Sequence, residues 1–326
     1  MIDTYARRID YLRVSVTNRC NLRCKYCMPE EGVEDIGHAN MLTLEEIAHL
    51  VNVSASIGIQ SVRLTGGEPL LRKNITKLIA DIAGIPGIDD ISMTTNGMLF
   101  TDMASDLKQA GLNRVNFSLD TLDAERFRHI TGCGDLRKVC QAISTALEIG
   151  MNPIKINTVV MQGINDQEIL DIAELAKTMP IHVRFIEFMP IGDLPFYQQD
   201  RFIPMHTIRE IVEAKYELTD SADIKGSGPA KSFKIRNGLG TIGFISAMSH
   251  SFCHACHRMR LTADGKLRGC LFAKQEINIK LALKNHASDE TIADIFRRAI
   301  REKPEQHCMN AGWGADNTRK MYQIGG

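Results

Sequence analysis

Tyr11-Leu12-Arg13-Val14-Ser15-Val16-Thr17, running on into Asn18-Arg19-Cys20-Asn21-Leu22-Arg23-Cys24-Lys25-Tyr26-Cys27, is an apolar strand-like run that empties into a loop carrying three thiols. The spacing Cys20-x3-Cys24-x2-Cys27 lets one compact loop wrap three corners of an iron–sulfur cube. A cube has four irons, so three cysteines leave one iron open to something other than protein. Structural zinc sites close their coordination shell, whereas catalytic metal sites keep one position open. Three close thiols on a loop make poor core residues. A cluster is therefore preferred over three buried small hydrophobes or an incomplete zinc knuckle.

The strand-then-loop unit recurs along the chain. Short β-branched runs at 11–17, 61–65, 90–95, 114–119, 154–160 and 182–188 alternate with longer amphipathic patterns. That alternation is the signature of stacked βα units. Thr43 with Glu46 three residues on predicts a helix start closed by a capping box. Gly111 and Gly150 stand where helices would end. Six units are visible where a closed (β/α)8 barrel would need eight, and the rhythm stops after Met189-Pro190-Ile191-Gly192. The expected α/β fold is a partial (β/α)6, TIM-like barrel over residues 1–190, open laterally. Residues 191–326 form a C-terminal region that covers the gap and carries the second cysteine group. In that region 289–300 reads as helix, 221–231 as a loop, and the Gly325-Gly326 end as a frayed terminus.

A chain of 326 residues buries a large core. Its 39 Lys and Arg balance 39 Asp and Glu. No overall field draws it to nucleic acid or membrane, and any anionic ligand must be met by local cations. The N-terminus has no apolar signal core, and no uncharged stretch approaches the ~20 residues that span a bilayer. The expectation is a cytoplasmic protein. Nine cysteines are an odd count for disulfides; clustered cysteines in a cytosolic enzyme more often bind metal. Cys133, Cys140 and Cys308 stand alone and read as free thiols.

The second group is Cys253-His254-Ala255-Cys256, then thirteen residues, then Cys270. Zinc with His254 or His257 as fourth ligand is one reading. A second open-cornered cluster is the other, and it would give the C-terminal region a chemical reason to fold over the barrel mouth. Gly66-Gly67-Glu68-Pro69 and Thr94-Thr95-Asn96-Gly97 follow strands, at the barrel end where sites form. The paired glycines would let backbone approach a ligand, although either block could be a plain turn. Arg13, Arg63, Lys155 and Arg184 each lie inside a strand with apolar neighbours on both sides. Strand alternation then aims all four into the barrel. Unpaired buried charges cost several kcal/mol, so the four require anions. Glu187 and Asp120 would neutralise some of them. A triphosphate, suited to arginine forks, is the sharper answer, and Arg258 and Arg260 add two more cations.

The cysteine loop with Tyr26 before its last cysteine, followed by Gly66–Pro69, resembles the radical S-adenosylmethionine superfamily. Residues 12–20, Thr94–Gly97, 184–189, 251–260 with Arg258 and Arg260, 269–272 and the terminal glycines together resemble its GTP 3′,8-cyclase family, in order and over the whole chain. The resemblance implies a lyase of molybdenum cofactor biosynthesis with two 4Fe–4S clusters and S-adenosylmethionine. It implies that Cys20, Cys24 and Cys27 hold the first cluster and Cys253, Cys256 and Cys270 the second. Reductive cleavage of S-adenosylmethionine would give a 5′-deoxyadenosyl radical that takes hydrogen from C3′ of GTP, after which C3′ bonds C8. Tyr26, Gly67, Ser118 and Met189 match S-adenosylmethionine contacts. Arg13, Arg63, Thr94, Lys155, Arg258 and Arg260 match GTP contacts, and Arg184 a triphosphate neighbour. Gly325 and Gly326 would reach toward the active site, against the reading as a frayed end. Implied partners are a small redox protein as electron donor and cyclic pyranopterin monophosphate synthase downstream; a homodimer stays open. Tyr5-Ala6-Arg7 departs from the family's usual Phe-Gly-Arg. A radical enzyme acting on a peptide would not need six such cations, and a non-catalytic iron–sulfur carrier would not need a nucleotide-sized cleft.

Overall fold

A computed structural model describes residues 1–33, 37, 40–191, 196, 199–221, 228–307 and 319–325. The alternation reads through into parallel strands β1 (Tyr11–Ser15), β2 (Ser61–Thr65), β3 (Asp90–Thr95), β4 (Arg114–Ser118), β5 (Ile154–Val160) and β6 (His182–Glu187). Helices α1 (Leu44–Ser56), α2 (Ile75–Ala83), α3 (Phe100–Gln109), α4 (Ala124–Thr131), α5 (Leu136–Glu148) and α6 (Ile169–Thr178) lie between them. Thr43 and Glu46 close the expected capping box: Thr43 Oγ1 accepts from Glu46 N, and Glu46 Oε2 from Thr43 N at 2.7 Å. Gly111 ends α3 with φ +108°, a conformation that residues with a Cβ rarely adopt.

Along each strand, alternate side chains go to opposite faces. Leu12, Val14, Val62 and Leu64 are fully buried against the helical layer. The intervening Arg13 and Arg63 therefore face the other way, into the barrel.

The C-terminal region completes the sheet in a way the alternation did not reveal. It contributes α7 (Met205–Glu213), β7 (Leu218–Asp220), β8 (Lys231–Ile235), β9 (Thr241–Ile245), β10 (Arg258–Leu261), β11 (Lys266–Arg268) and β12 (Ile277–Asn278). Three helices follow: α8 (Ile279–Lys284), α9 (Asp289–Arg301) and α10 (Met321–Ile324). The strand order is β12-β11-β10-β1-β2-β3-β4-β5-β6-β9-β8-β7. Here β9 pairs parallel with β6, and β10 parallel with β1. The parallel core thus gains one strand at each edge before antiparallel strands finish it. Among the described residues β7 and β12 do not meet, so the barrel stays open, as expected. What differs is the C-terminal region: besides covering the gap, it extends both edges. No described helix is long and apolar enough to cross a membrane.

Candidate active site

The first cysteine loop leaves β1 and is pinned to the turn after β2. Gly67 N donates to Thr17 O and Glu68 N to Arg19 O, both at 2.8 Å. A Cβ on Gly66 would meet Thr17 O at 2.6 Å, and one on Gly67 would meet Arg19 O at 2.3 Å. The paired glycines are thus required by the segment leading into Cys20. Glu68 is buried and accepts from Thr95 Oγ1 (2.7 Å), Leu70 N (3.1 Å) and Asn96 N (2.8 Å). Burial pushes its pKa up to about 7. Asn96 Nδ2 reaches on to Asn21 Oδ1 at 2.8 Å and Cys20 Sγ at 3.7 Å. Within the Thr94–Gly97 block, Thr95 and Asn96 are spent on holding this loop, and Thr94 is left facing the barrel interior.

The three thiols differ from exposed cysteines. Burial raises Cys20 to about 11 and Cys27 to about 12, and holds Cys24 well above the ordinary range. They are protonated in the bare protein and release protons on ligating a metal. Tyr26 OH donates to Asp120 Oδ2 at 2.6 Å, and burial lifts Asp120 to about 6.

The second triad sits at the other side of the opening. Cys253 and Cys256 precede β10, and Cys270 follows β11. Burial would raise Cys256, but the charges of Arg258 and Lys303 overcome it and bring it to about 6. His257 Nδ1 lies 2.7 Å from Asp10 Oδ1, its ring stacked on Tyr11 at 5.8 Å. His254 is exposed. Neither histidine lines the cavity that receives the cysteines. Among the described residues no three His, Cys, Asp or Glu side chains gather around a single ion, so neither triad presents the tight shell of a zinc knuckle.

One cavity is lined by all six cysteines, and it encloses about 1780 Å³ of empty space with its open mouth included. Arg13, Arg63, Arg184, Arg258 and Arg260 line it between the triads, as do Tyr26, Gly67, Thr94, Ser118 and Met189. Lys155 does not reach that wall. It is wholly buried in the barrel, paired in register with Asn116 and His182. Arg260, Arg13 and Arg63 form one row across β10, β1 and β2. Among the described residues none of the five arginines makes an ion pair. Asp120 accepts from Tyr26 OH and Val159 N, and Glu187 accepts from Met205 N, Met248 N and Ser249. The internal neutralisation that these two carboxylates offered does not occur at the arginines. Burial, then Arg63 and Arg114, pull Arg184 down to about 9; burial, then Arg184, Arg114 and Arg63, pull Lys155 to about 5. Buried guanidinium groups crowded together without an ion pair make an anion receptor.

Polar atoms without partners point the same way. Thr94 Oγ1, Asn157 Oδ1 and both side-chain polar atoms of Asn116 are buried with no hydrogen bond. Unsatisfied buried groups cost about 1–3 kcal/mol each, and hydroxyl- and amide-bearing ligands would supply their partners. Thr94 and Asn157 line the cavity. The chain end also arrives here. Arg13 Nε donates to Gly325 O at 2.7 Å, and Arg260 Nη1 donates to Ile324 O at 3.1 Å and Gly325 O at 3.0 Å. Gly325 has φ +72°, and a Cβ there would meet Thr65 Cγ2 at 2.7 Å. The described tail is therefore ordered against two arginines rather than frayed; Gly326 and Cys308 lie outside the described residues.

Several residues that build the site were missed by sequence reading. Arg7, buried, donates to the carbonyls of Cys253 (2.9 Å), Glu305 (2.8 Å) and Pro304 (2.7 Å). Arg268 holds Leu271 O at 3.1 Å and Ala273 O at 2.6 Å beside Cys270. Lys303 reaches Cys256. Asn157 alone carried a usable signal, because it stands two residues beyond Lys155 on the same strand face.

The Radical SAM superfamily model matches residues 14–176, and the Molybdenum Cofactor Synthesis C model matches 181–309. A relative named GTP 3′,8-cyclase from Syntrophomonas wolfei subsp. wolfei is 56% identical over 326 residues, covering 100% of both chains. Another of that name from Desulforamulus reducens is 52% identical over 327 residues, again 100% of each. Streptococcus suis SuiB bound to S-adenosylmethionine has a similar fold, with TM-score 0.61 and 15% identity over 97% of this chain and 77% of that one.

Proposed function

The chain belongs to the GTP 3′,8-cyclase family of the Radical SAM superfamily, and from that membership we infer that it converts GTP to (8S)-3′,8-cyclo-7,8-dihydroguanosine 5′-triphosphate in molybdenum cofactor biosynthesis. The observation that carries the reading is the single cavity walled at one side by Cys20, Cys24 and Cys27, at the other by Cys253, Cys256 and Cys270, with five arginines between.

The donor set fits two 4Fe–4S clusters: two triads of cysteines, each left with a fourth corner for a ligand. When bound, the first cluster and S-adenosylmethionine supply one-electron reductive cleavage to a carbon radical. The chain's own residues bind, orient and shield. Cys20, Cys24 and Cys27 hold the first cluster, and Tyr26, Gly67, Ser118 and Met189 contact S-adenosylmethionine. Cys253, Cys256 and Cys270 would hold the second cluster, with the guanine as its ligand from the cavity. Arg13, Arg63, Arg184, Arg258 and Arg260 take the triphosphate oxygens, for which paired N–H donors are suited. Thr94 offers its unpartnered hydroxyl to the nucleotide. Lys155, whose pKa burial and neighbouring cations hold at about 5 in the ligand-free protein, would take up a proton and add charge from beneath only once the triphosphate is bound. Gly325, held by Arg13 and Arg260, would close the mouth, so that water is excluded from a reactive carbon centre.

The chain works as two parts that share one sheet, a barrel over 1–190 and a C-terminal region over 191–326; family matches that meet between 176 and 181 support a division near there. We place it in the cytoplasm, reduced by a small redox protein, handing its product to cyclic pyranopterin monophosphate synthase. A homodimer is compatible with this scheme. The test is anaerobic reconstitution of the full chain, followed by reductant, S-adenosylmethionine and GTP. Formation of 5′-deoxyadenosine together with the cyclised nucleotide is expected. Formation of 5′-deoxyadenosine that GTP neither promotes nor couples to cyclisation would transfer the chain to another substrate.

A further inference from the structure

Lys303 lies two residues past the end of α9 and is 3% exposed. Its Nζ stands 3.4 Å from Cys256 Sγ and donates to Arg258 O at 3.1 Å and to Gly269 O. One ammonium therefore binds the segment after Cys256 and the residue before Cys270, joining two separate loops. Gly269 makes room for it: a Cβ there would meet Lys303 Cα at 3.1 Å and Cβ at 3.2 Å. Among the described residues no carboxylate pairs with Lys303. Two of its three protons are met by carbonyls, and the third is directed at sulfur. A buried cation without a counter-charge costs several kcal/mol. Arg7 and Arg268 also bind carbonyls of the cysteine loops, but neither touches a sulfur.

We propose that Lys303 is a positioning residue for the second cluster, joining the Cys256 loop to the Cys270 loop and offsetting negative charge at the Cys256 corner, so that the bound cluster is easier to reduce than beside a neutral side chain. This rests on the reading that Cys253, Cys256 and Cys270 hold a cluster. Reduction adds negative charge, and hydrogen bonds to cluster sulfurs together with nearby charge are among the levers that set such potentials.

The experiment uses the full chain with Cys20, Cys24 and Cys27 changed to serine, so that only the second cluster gives a signal. Lys303→Met and Lys303→Arg are introduced in that background and in the otherwise unaltered chain. Iron and sulfide are counted, and the cluster is titrated potentiometrically by electron paramagnetic resonance. The expected result is a Lys303→Met cluster whose midpoint falls by at least the ~59 mV that a tenfold change in a one-electron equilibrium represents, or one that is lost from the second site alone. Lys303→Arg should keep the cluster with a midpoint closer to that of the parent. A Lys303→Met protein with the parental midpoint and full iron overturns the proposal. So does equal loss of the cluster in both variants, which would make shape rather than charge the requirement, and so does loss of the first cluster as well in the unaltered background, which would make Lys303 a general support. If the serine parent itself takes up no cluster, the underlying reading fails instead, and the two failures are told apart by that control.

Discussion

Glu187→Gln should loosen the approach to the second cysteine group while leaving the first intact. Glu187 ends β6, is fully buried, and spends both oxygens on the C-terminal region. Oε1 accepts from Met205 N at 2.7 Å and from the Ser249 hydroxyl; Oε2 accepts from Met248 N at 2.6 Å and Ser249 N at 2.9 Å. Met205 opens α7, whose N-cap Pro204 makes no side-chain cap, so the carboxylate also faces the positive end of that helix. A glutamine amide can keep only one of those two oxygens. Its better orientation turns NH2 toward Oε1's partners, because the Ser249 hydroxyl can rotate to accept whereas the two backbone N–H groups cannot. Met205 N–H is then left unpaired, at about 1–3 kcal/mol, and the remaining bonds lose charge assistance worth about 1 kcal/mol each.

The sum is about 3–5 kcal/mol, and it falls on the 248–249 turn and the start of α7 rather than on the barrel. Because opening is local, amide hydrogen exchange is the assay of choice. At 1.36 kcal/mol per tenfold, the ~2 kcal/mol lost at the two bonds of Met248 and Ser249 speeds exchange there by about thirtyfold. Amides of β1 to β4 should keep their protection, and reconstituted iron should fall at the second site first. Parental protection at both amides would refute the reasoning, since it would mean the carboxylate bonds contribute nothing net.

Ala6 has φ +61°, a left-handed conformation that favours glycine. A left-handed residue with a Cβ costs roughly 1–2 kcal/mol, and glycine returns about 0.5–1 kcal/mol of that in chain entropy. Ala6→Gly should therefore stabilise the Asp3–Arg7 turn by about 0.5–1 kcal/mol, read as a higher denaturant midpoint; a lower midpoint would contradict the strain. Lys155 has a folded pKa near 5 against an unfolded value near 10.5, with Arg184 and His182 on β6, Arg114 on β4, Arg63 on β2 and Asp90 on β3 around it. Between those values the unfolded chain binds the extra proton, so stability of the ligand-free protein should rise with pH there. Lys155→Met should be the more stable protein at pH 7, with its advantage shrinking toward pH 10; a pH-independent difference would remove titration as the cause. Arg258→Ala and Arg260→Ala should each weaken GTP binding by about 10- to 100-fold, the equivalent of one charge-assisted bond, with iron content unchanged by either. Loss of iron would reassign those arginines to structure.

How much of this was readable beforehand depended on range. Local rules reached the six strands, the capping box at Thr43 and Glu46, the helix end at Gly111, and the inward aim of Arg13 and Arg63, because each follows from neighbours within a few positions. The edge strands β9 and β10 did not announce themselves. Their sequences, Thr241–Ile245 and Arg258–Leu261, lack the helix that normally follows a parallel strand, and their pairing partners lie far away in sequence. The buried cations Arg7, Arg268 and Lys303 were invisible for a related reason. Each binds backbone carbonyls, which every residue has, so no side-chain motif marks the partner. Lys155 shows the converse limit: alternation gave its direction but not its depth, and it stops short of the cavity wall.

The edge pairing of β10 with β1 has a consequence for how the site is assembled. Arg260 lies beside Arg13, and Arg13 beside Arg63, so the row of guanidinium groups spans the join between the C-terminal region and the barrel. Three like charges in adjacent strands repel, and direct cross-strand pairs of one sign are destabilising. Hydrophobic packing of Met259 and Leu261, both fully buried on the opposite face, must hold β10 against that repulsion. Carbonyl oxygens of Ile324 and Gly325 lie on Arg13 and Arg260 and soften it. A bound triphosphate would offset the same charges more completely, which ties nucleotide binding to the seating of β10 and, through Cys256 two residues before it, to the second cluster. Nucleotide affinity and integrity of the second cysteine group should accordingly fall together when the packing of Met259 or Leu261 is weakened, while the Cys20–Cys27 loop, seated on the other side of β1, stays indifferent.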